Sequence, residues 1–362
     1  MAASTLEGIR VKFFFVLIWC FFIFSCTSSY LKYDKIEQLN SNDEFEKQVK
    51  ISPVPGPVGD SAESKDVKTE PTDATKKTIS PVKEKKKKSK KGKKEKVSAK
   101  TADAEKAPTA REPEIEDSEG FGVNRRPLVD PFRVGEEVIH DVHYFKVSAG
   151  ELSLKVDPFV EVNGKKSYSF SMQIHSSRMF STFYSVDDRA VTLMDFDQMI
   201  PRVFTLHVKE SAQLRQARSF FDFDALKATY WEKKVTQKSG VEEKKLEWDI
   251  LSYSQNVFST FYYLRTFKWD IGKQYSFRVS HDQENLVFKG TALRKEKLKT
   301  EVGEFQAIVI KPEMMMKGIF KPVGEIYIWL SDDDRKYILR IESSIRIGTL
   351  VSEIVKLNPG QP

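Results

Sequence analysis

The sequence predicts a mostly β protein: a single domain in which a curved antiparallel sheet packs on one amphipathic helix, preceded by a disordered tether. Short runs of alternating apolar and polar residues recur from residue 121 to residue 358, and such alternation is typical of half-buried strands. Turn residues separate these runs at short intervals, which favours antiparallel meanders over βαβ units. Only one stretch has helical spacing. We therefore expect one β domain over 121–358 and a short tail over 359–362.

Antiparallel hairpins are predicted along the whole domain, and Asn163-Gly164 is the strongest hairpin signal. The C-terminal stretch from Gly324 to Leu357 reads as a three-stranded meander, with a turn at the polar residues 331–335. The predicted strands cover residues 137–144, 145–156, 159–162, 167–175, 180–186, 190–195, 202–208, 218–223, 227–236, 274–280, 285–295, 298–302, 305–311, 326–331, 337–347 and 350–357.

The one predicted helix covers residues 250–265. Asp249 can cap its N-terminus, and the apolar residues of this stretch form a broad stripe along one face. A lone amphipathic helix in a β domain usually covers the open side of a curved sheet. Two interpretations remain: the helix belongs to the core, or it is a movable lid over a ligand site.

Charge is distributed unevenly along the chain. The formal net charge is +7, but residues 76–100 contain thirteen Lys and two Glu, so the rest of the chain is mildly acidic. Both cysteines, Cys20 and Cys26, precede the predicted domain. Disulfide bonds, thiolate catalysis and Cys-ligated metal sites in the domain are thereby excluded.

The first 26 residues have the order of a secretory signal peptide. Arg10 and Lys12 precede an apolar run over 13–24, which is followed by Ser25 and Cys26. The run is shorter than the roughly 20 residues of a membrane-spanning helix. An uncleaved signal anchor and plain secretion remain alternatives to a lipoprotein signal.

The four residues that end at Cys26 resemble a bacterial lipobox. The resemblance implies that Cys26 is acylated, that it becomes the first residue of the mature chain, and that it attaches the protein to a membrane. Thr27 follows Cys26 where an Asp would be expected in a protein kept at the inner membrane. The implied localisation is therefore export, with a lipid anchor in the bacterial outer membrane or in the periplasm.

Residues 27–120 are predicted to form a disordered linker. This stretch is rich in Pro, Lys, Glu, Ser and Thr, and it has almost no aromatic residue after Glu46. Such a chain buries too little apolar surface to offset its ordering entropy. Fully stretched, it would reach about 300 Å from a membrane anchor.

A polybasic tract over 83–96 lies within the predicted linker. No aromatic residues interleave with its lysines, so a platform for base stacking is missing and no nucleic acid partner is expected. The tract is either a contact for anionic cell-wall polymer or lipid headgroups or a solvated spacer. The contact residues would be Lys85, Lys86, Lys87, Lys88, Lys90, Lys91, Lys93 and Lys94.

Residues 312–322 are predicted to form an apolar loop between Pro312 and Pro322. Three of its residues are methionines, whose flexible thioether side chains suit an adaptable apolar surface. The loop is either the mouth of a site for lipid or hydrophobic peptide, or a segment folded over the core. Together with the predicted helix, it defines a possible surface for an apolar ligand or partner: Met314, Met315, Met316, Ile319, Phe320, Phe258, Phe261 and Tyr262.

No catalytic or metal centre is predicted. His140 and His143 would lie on opposite faces of a strand, half-exposed, and would not share a metal ion. The run 332–334 is interpreted as a turn rather than a Ca²⁺ site. The chain carries no signature of serine hydrolases, zinc proteases or nucleotide-binding loops. We expect neither a cofactor nor enzymatic activity.

Several motifs resemble the bacterial exported proteins that are grouped as domain of unknown function 3108. The matching stretches are 131–136, 148–150, 180–188, 249–265, 270–272, 302–305, 328–333 and 347–348. The resemblance implies an envelope protein whose sheet is largely antiparallel and strongly curved, like an open barrel or half-barrel. The family has no assigned activity and therefore implies no catalytic residues.

Three functional hypotheses follow. The first is a non-enzymatic lipoprotein of the bacterial cell envelope that binds an apolar ligand or an envelope partner through its β domain. The second is a structural tether between membrane and cell wall through the polybasic linker. The third is a hydrolase with an unrecognised site, for which Asp332, Asp333 and His281 would be the first residues to test.

Overall fold

A single antiparallel sheet of sixteen strands dominates the computed structural model, which describes residues 42–54, 126–127, 129–145, 147–236, 238–316, 319–322, 325–345 and 348–361. The strands are β1 (Ile51–Pro53), β2 (Glu136–Tyr144), β3 (Val147–Val162), β4 (Lys165–Ser176), β5 (Asp187–Asp195), β6 (Pro201–Lys209), β7 (Gln213–Asp222), β8 (Lys227–Thr236), β9 (Gly240–Asp249), β10 (Gln274–His281), β11 (Glu284–Thr300), β12 (Gly303–Met316), β13 (Ile319–Pro322), β14 (Glu325–Ser331), β15 (Ile338–Ile345) and β16 (Gly348–Pro359). The helices are α1 (Asp43–Gln48), α2 (Arg178–Ser181) and α3 (Val257–Tyr263), with a 3₁₀ turn at Leu264–Thr266.

The strand order is β10–β11–β12–β14–β15–β16–β2–β3–β4–β5–β6–β7–β8–β9, with β1 added to β3 and β13 added to β12. The predicted C-terminal meander is therefore confirmed as β14, β15 and β16. Strand β16 pairs with β2 over nearly its whole length. This pairing brings the end of the chain beside the first long strand of the domain and joins two successive meanders into one sheet.

The sheet curves into an open barrel that does not close. Its edge strands β9 and β10 approach each other where Trp248 Nε1 donates to Ser280 Oγ at 2.7 Å. The Asn285 side chain donates to the Asp249 carbonyl at 2.9 Å. Within the described residues, no ladder of backbone hydrogen bonds joins β9 to β10. The predicted fold, a curved antiparallel sheet like an open barrel with a packed helix, is confirmed.

Local turn chemistry is also as predicted at two places. Asn163 and Gly164 adopt φ values of 50° and 76° between β3 and β4, which is the left-handed geometry of a type I′ hairpin. The turn after β14 is closed by Asp333, whose Oδ1 accepts hydrogen bonds from Ser331 Oγ at 2.8 Å and from the Arg335 amide at 2.9 Å.

The predicted helix over 250–265 is too long at its N-terminal end. Helix α3 begins after Asn256, whose side chain accepts from the Ser259 amide at 2.7 Å and forms a capping box. The preceding residue, Gln255, is hydrogen-bonded to the sheet. Its amide donates to the Arg278 carbonyl, and its carbonyl accepts from the Ser280 amide, both at 2.8 Å. Asp249 is the last residue of β9 and not a helix cap.

Other predicted elements also differ from the structure. The predicted strand over 180–186 is wrong: residues 178–181 form α2, which the Ser177 hydroxyl caps, and the next strand, β5, begins at Asp187. The alternation of β9 is weak because its residues are almost all exposed, and the strand was not predicted. The predicted loop over 312–322 is a hairpin in which β12 pairs with β13 from Glu313 to Met316. The run of three methionines lacks polar–apolar alternation, so the pattern resembled a loop.

The main core lies between the sheet and the segment that contains α3. Tyr262 is 2% exposed and stacks on Phe170 with ring centroids 4.1 Å apart. Its hydroxyl donates to the Ser171 carbonyl at 2.9 Å. Phe132 packs edge-on against Phe170 at 4.8 Å. These aromatic contacts attach α3 to the inner face of β3 and β4, so the helix is part of the core at this end.

A buried ionic network connects four distant parts of the chain. Glu136 is 2% exposed and binds Arg265 through two hydrogen bonds of 2.6 and 3.0 Å. Arg335 donates to the same carboxylate at 2.6 Å and to the Pro359 carbonyl at 2.7 Å. Arg265 also donates to the Pro131 carbonyl at 3.2 Å. The start of β2, the end of α3, the turn after β14 and the end of β16 are thus held together.

Residues 42–54 are folded, which corrects part of the predicted disordered linker. Strand β1 pairs with β3 from Val160 to Val162, and α1 buries Phe45 and Val49 against the outer face of the sheet. Phe45 packs edge-on against Trp231 at 5.8 Å, and Glu44 accepts from the Trp231 indole at 3.1 Å. Amino-acid composition did not predict that this segment is folded, because only two apolar side chains bury it against the sheet. The remaining residues of the predicted linker lie outside the description.

Candidate ligand cavity

A cavity of about 470 Å³ lies between the inner face of the sheet and α3. Strands from both halves of the sheet contribute side chains to it, and α3 covers it with Val257, Phe258 and Phe261. Phe258 is held there by stacking on Phe204 of β6, with ring centroids 4.7 Å apart. Small-molecule sites in proteins have volumes of about 300 to 1,000 Å³. The cavity is therefore large enough for a lipid-sized molecule.

Most of the wall is apolar. The residues of this apolar wall come from ten strands, and they include Val142, Leu152, Met172, Ile174, Leu206, Val208, Leu246, Phe288, Met314, Ile326, Ile328, Ile341 and Leu350. Alternation places them on one face of each strand, while their neighbours point outward. A surface of this kind favours hydrocarbon over water.

Charged side chains line the cavity on β7, β8 and β9, beside apolar residues such as Leu246. Arg215 and Lys234 face each other across β7 and β8, and Glu232 and Lys244 face each other across β8 and β9. Arg215 is 8% exposed, and its Nε lies 3.4 Å from Glu232 Oε2. Tyr230 also donates to this carboxylate. We refer to Arg215, Glu232, Lys234 and Lys244 as the charged wall.

Two further carboxylates are buried beside the charged wall. Glu210 accepts hydrogen bonds from the Tyr184 hydroxyl and the Gln213 side-chain amide, both at 2.7 Å. Asp188 accepts from the Lys209 amide at 3.0 Å. Burial, with the negative charge of Glu210 acting in the same direction, raises the pKa of Asp188 to about 7. The Asp188 carboxyl therefore carries a proton for much of the time near neutral pH.

Replacing Asp188 with Asn is expected to stabilise the protein at pH 8 but not at pH 4. The unfolded carboxyl has an ordinary pKa near 4, so the folded state holds an extra proton between about pH 4 and pH 7 and its stability falls as the pH rises through that window. The Asp188→Asn side chain keeps an oxygen that can accept from the Lys209 amide, and it removes the charge. We expect a gain of about 1 to 3 kcal/mol in the free energy of unfolding at pH 8, measured with urea.

Asp187→Asn is the matched control, because Asp187 is the neighbouring residue and is exposed. It should change the free energy of unfolding by less than about 0.5 kcal/mol at either pH. An Asp188→Asn variant that is no more stable than wild type at pH 8, or one whose gain is the same at pH 4, would contradict the buried-carboxyl interpretation.

The residues of the predicted apolar surface lie in different environments. Phe258, Phe261 and Met314 line the cavity, whereas Tyr262 is packed in the core beside it. Met315, Met316, Ile319 and Phe320 belong to the hairpin of β12 and β13, and their side chains lie outside the description. Cys26 and the eight lysines of the polybasic tract also lie outside the described residues.

The described histidines and the acidic turn lie in separate environments. His140 is fully buried, contrary to the half-exposed position predicted for it: its ring contacts Ser352 Oγ at 3.1 Å and the Ile338 carbonyl at 2.9 Å. Burial lowers the pKa of His140 to about 4. His143 lies 3.1 Å from Asp141. No cluster of three potential metal ligands occurs among the described residues.

The charged wall was missed by the sequence analysis. Glu232, Lys234 and Tyr230 lie two residues apart on one strand, so alternation places them on one face. That face looked solvent-exposed because it is polar, and only the curvature of the sheet turns it inward. The only available signal was the charge on alternate residues of β8. A single strand cannot show whether such a charged face lines a cavity or faces solvent.

Together, the open sheet, the packed helix and the cavity between them define an open-barrel protein. The family model described as "Protein of unknown function (DUF3108)" matches residues 140–355. The chain belongs to this family, as its motifs predict. No curated protein matches the chain. Within the described residues, no helix is long and apolar enough to cross a membrane.

Two solved structures resemble part of the chain. One is a beta-barrel-like protein of domain of unknown function DUF1849 from Brucella abortus, with 12% sequence identity and a TM-score of 0.40, covering 62% of this chain and 98% of that chain. The other is a presumed exported protein with a YmcC-like fold from Bacteroides fragilis, with 9% identity and a TM-score of 0.29, covering 64% and 98%.

Proposed function

We propose that the β domain binds an apolar or amphipathic ligand in the cavity under α3, as part of a non-enzymatic, lipid-anchored protein of the bacterial cell envelope. The observation that supports this proposal most directly is the cavity. A sheet whose interior served only as a scaffold would be filled by side chains, whereas this one retains about 470 Å³. The apolar wall provides the favourable free energy of binding through burial of ligand surface.

The signal sequence and Cys26 support the proposed location. Only residues 27–41 separate Cys26 from Asn42, the N-cap of helix α1, which packs on the outer face of the sheet. Fifteen residues span at most about 50 Å. An anchor at Cys26 would therefore keep the cavity close to the membrane, and the reach of about 300 Å expected for a free linker of ninety residues does not apply.

The proposal is tested by native mass spectrometry of the full chain purified from a bacterial host. We expect adducts in the mass range of membrane lipids or fatty acids, released on denaturation and recovered in an organic extract. The same protein, freed of adducts, should bind a dansyl-labelled fatty acid with a blue-shifted emission. A protein that carries no adduct and does not change the emission of the dansyl fatty acid would contradict the proposal.

A further inference from the structure

Asn256 and Ser343 bring buried hydrogen-bond donors to the cavity. Asn256 is 5% exposed and Ser343 is 2% exposed. Asn256 Nδ2 and Ser343 Oγ are buried and have no partner within the described residues, yet both residues line the cavity. A buried donor without an acceptor costs free energy. A ligand that offers acceptor oxygens would remove that cost.

Lys234 adds a half-buried cation to the same cavity. No carboxylate of the described residues forms an ion pair with it, although its outward-facing neighbour Lys233 pairs with Glu243 at 3.3 Å. Lys234 lies directly across from Arg215, so two positive charges are adjacent. Like charges directly opposite each other on a sheet destabilise it, and Glu232 offsets the charge of Arg215 but does not pair with Lys234.

The carboxylates that line the cavity are those of Asp188, Glu210, Glu232 and Asp282, and none of them forms an ion pair with Lys234 within the described residues. Glu210 is occupied by Tyr184 and Gln213. Glu232 is shared between Tyr230 and Arg215. The raised pKa of Asp188 reduces its negative charge near neutral pH. His281 also lines the cavity, but burial lowers its pKa, so it adds little positive charge at neutral pH.

We infer that the cavity takes an anionic amphiphile, with a carboxylate or phosphate head bound by Lys234 beside Arg215 on the charged wall and a hydrocarbon chain lying over the apolar wall. The head group pairs with Lys234 through a charge-assisted hydrogen bond and lies beside Arg215, which keeps Glu232 as its partner. The inference rests on the proposed function, since it names the chemical class of the ligand for that same cavity.

The inference is tested with four probes that share one oleyl chain: oleate, oleyl phosphate, monoolein and oleylamine. Each competes with the dansyl fatty acid for the full chain at pH 7.5. Oleate or oleyl phosphate should bind at least about tenfold more tightly than monoolein, and oleylamine should bind most weakly. Acetate and inorganic phosphate should not compete, because the chain provides most of the affinity.

Lys234→Gln should raise the dissociation constant of the anionic probe about tenfold, equivalent to about 1.4 kcal/mol, and leave that of monoolein unchanged. Lys234→Arg should retain the preference for the anion. Lys233→Gln, the adjacent residue on the outer face, is the matched control and should have no effect.

The outcomes distinguish failure of the anionic-head inference from failure of the proposed function. If all four probes bind equally, or if Lys234→Gln weakens oleate and monoolein alike, the anionic-head inference is overturned while the proposed function stands. If competition by phosphate alone equals that by oleyl phosphate, the chain-binding part is overturned. If none of the probes binds, both proposals fail.

Discussion

Replacing Glu136 with Ala is expected to lower the free energy of unfolding by about 3 to 5 kcal/mol. The carboxylate accepts hydrogen bonds from both Arg265 and Arg335, and Arg265 is only 2% exposed. Without Glu136, a buried guanidinium loses its compensating charge, and the links to Pro131 and Pro359 are weakened with it. Since domains are stable by about 5 to 15 kcal/mol, much of the folding free energy would be lost. Urea unfolding followed by near-UV circular dichroism measures the change.

Glu137→Ala provides the control, because Glu137 is the next residue on β2 and points to the other face. It pairs with Lys155 at 2.8 Å, but the Lys155 side chain is 41% exposed and that of Glu137 is 24% exposed. Exposed ion pairs contribute about 0 to 1 kcal/mol. A loss for Glu136→Ala that is as small as the loss for Glu137→Ala would show that the buried network does not hold the ends of the domain together.

Replacing Leu206 with Trp is expected to weaken binding of the dansyl fatty acid at least tenfold. Leu206 lies on the inner face of β6 and lines the cavity, so an indole there occupies space that the ligand would use. Displacing about 60 Å² of buried ligand surface costs about 1.5 kcal/mol, which corresponds to about a factor of ten in Kd. Fluorescence titration measures the affinity directly.

Thr205→Trp is the matched variant on the outer face of the same strand. Thr205 is half-buried, and it is not among the cavity-lining residues. This variant should bind the probe as wild type does. Circular dichroism and thermal unfolding of both variants establish that they are folded. Unchanged affinity in a folded Leu206→Trp variant would place the ligand elsewhere.

The sheet could be predicted from the sequence because its signals are local. Alternation identified most strands, and the Asn163-Gly164 pair fixed one hairpin through its left-handed geometry. The helix boundary could not be predicted in the same way. The helical spacing of the apolar residues spans Gln255, but backbone hydrogen bonds to Arg278 and Ser280 hold that residue in the sheet. Tertiary context therefore overrode helical periodicity at this boundary.

The candidate site could be predicted only in part. Phe258, Phe261 and Met314 were selected from apolar patterns, and all three line the cavity. The charged wall depends on how far the sheet curves, a property that no single strand encodes. Lys234 has the same local sequence signature as an exposed lysine. Its burial becomes visible only when β7 and β9 are placed on either side of it.

The location of a bound chain tests the central claim most directly. A fatty acid that carries a mid-chain diazirine is bound to the full-length protein and photolysed, and the attached residues are mapped by tandem mass spectrometry. We predict attachment on the inner faces of β6 and β9 and on α3, with Leu206, Leu246 and Phe261 among the labelled residues, and loss of labelling in Leu206→Trp. Attachment confined to the outer face of the sheet, around α1 and Trp231, would contradict the claim that this open barrel holds its ligand inside.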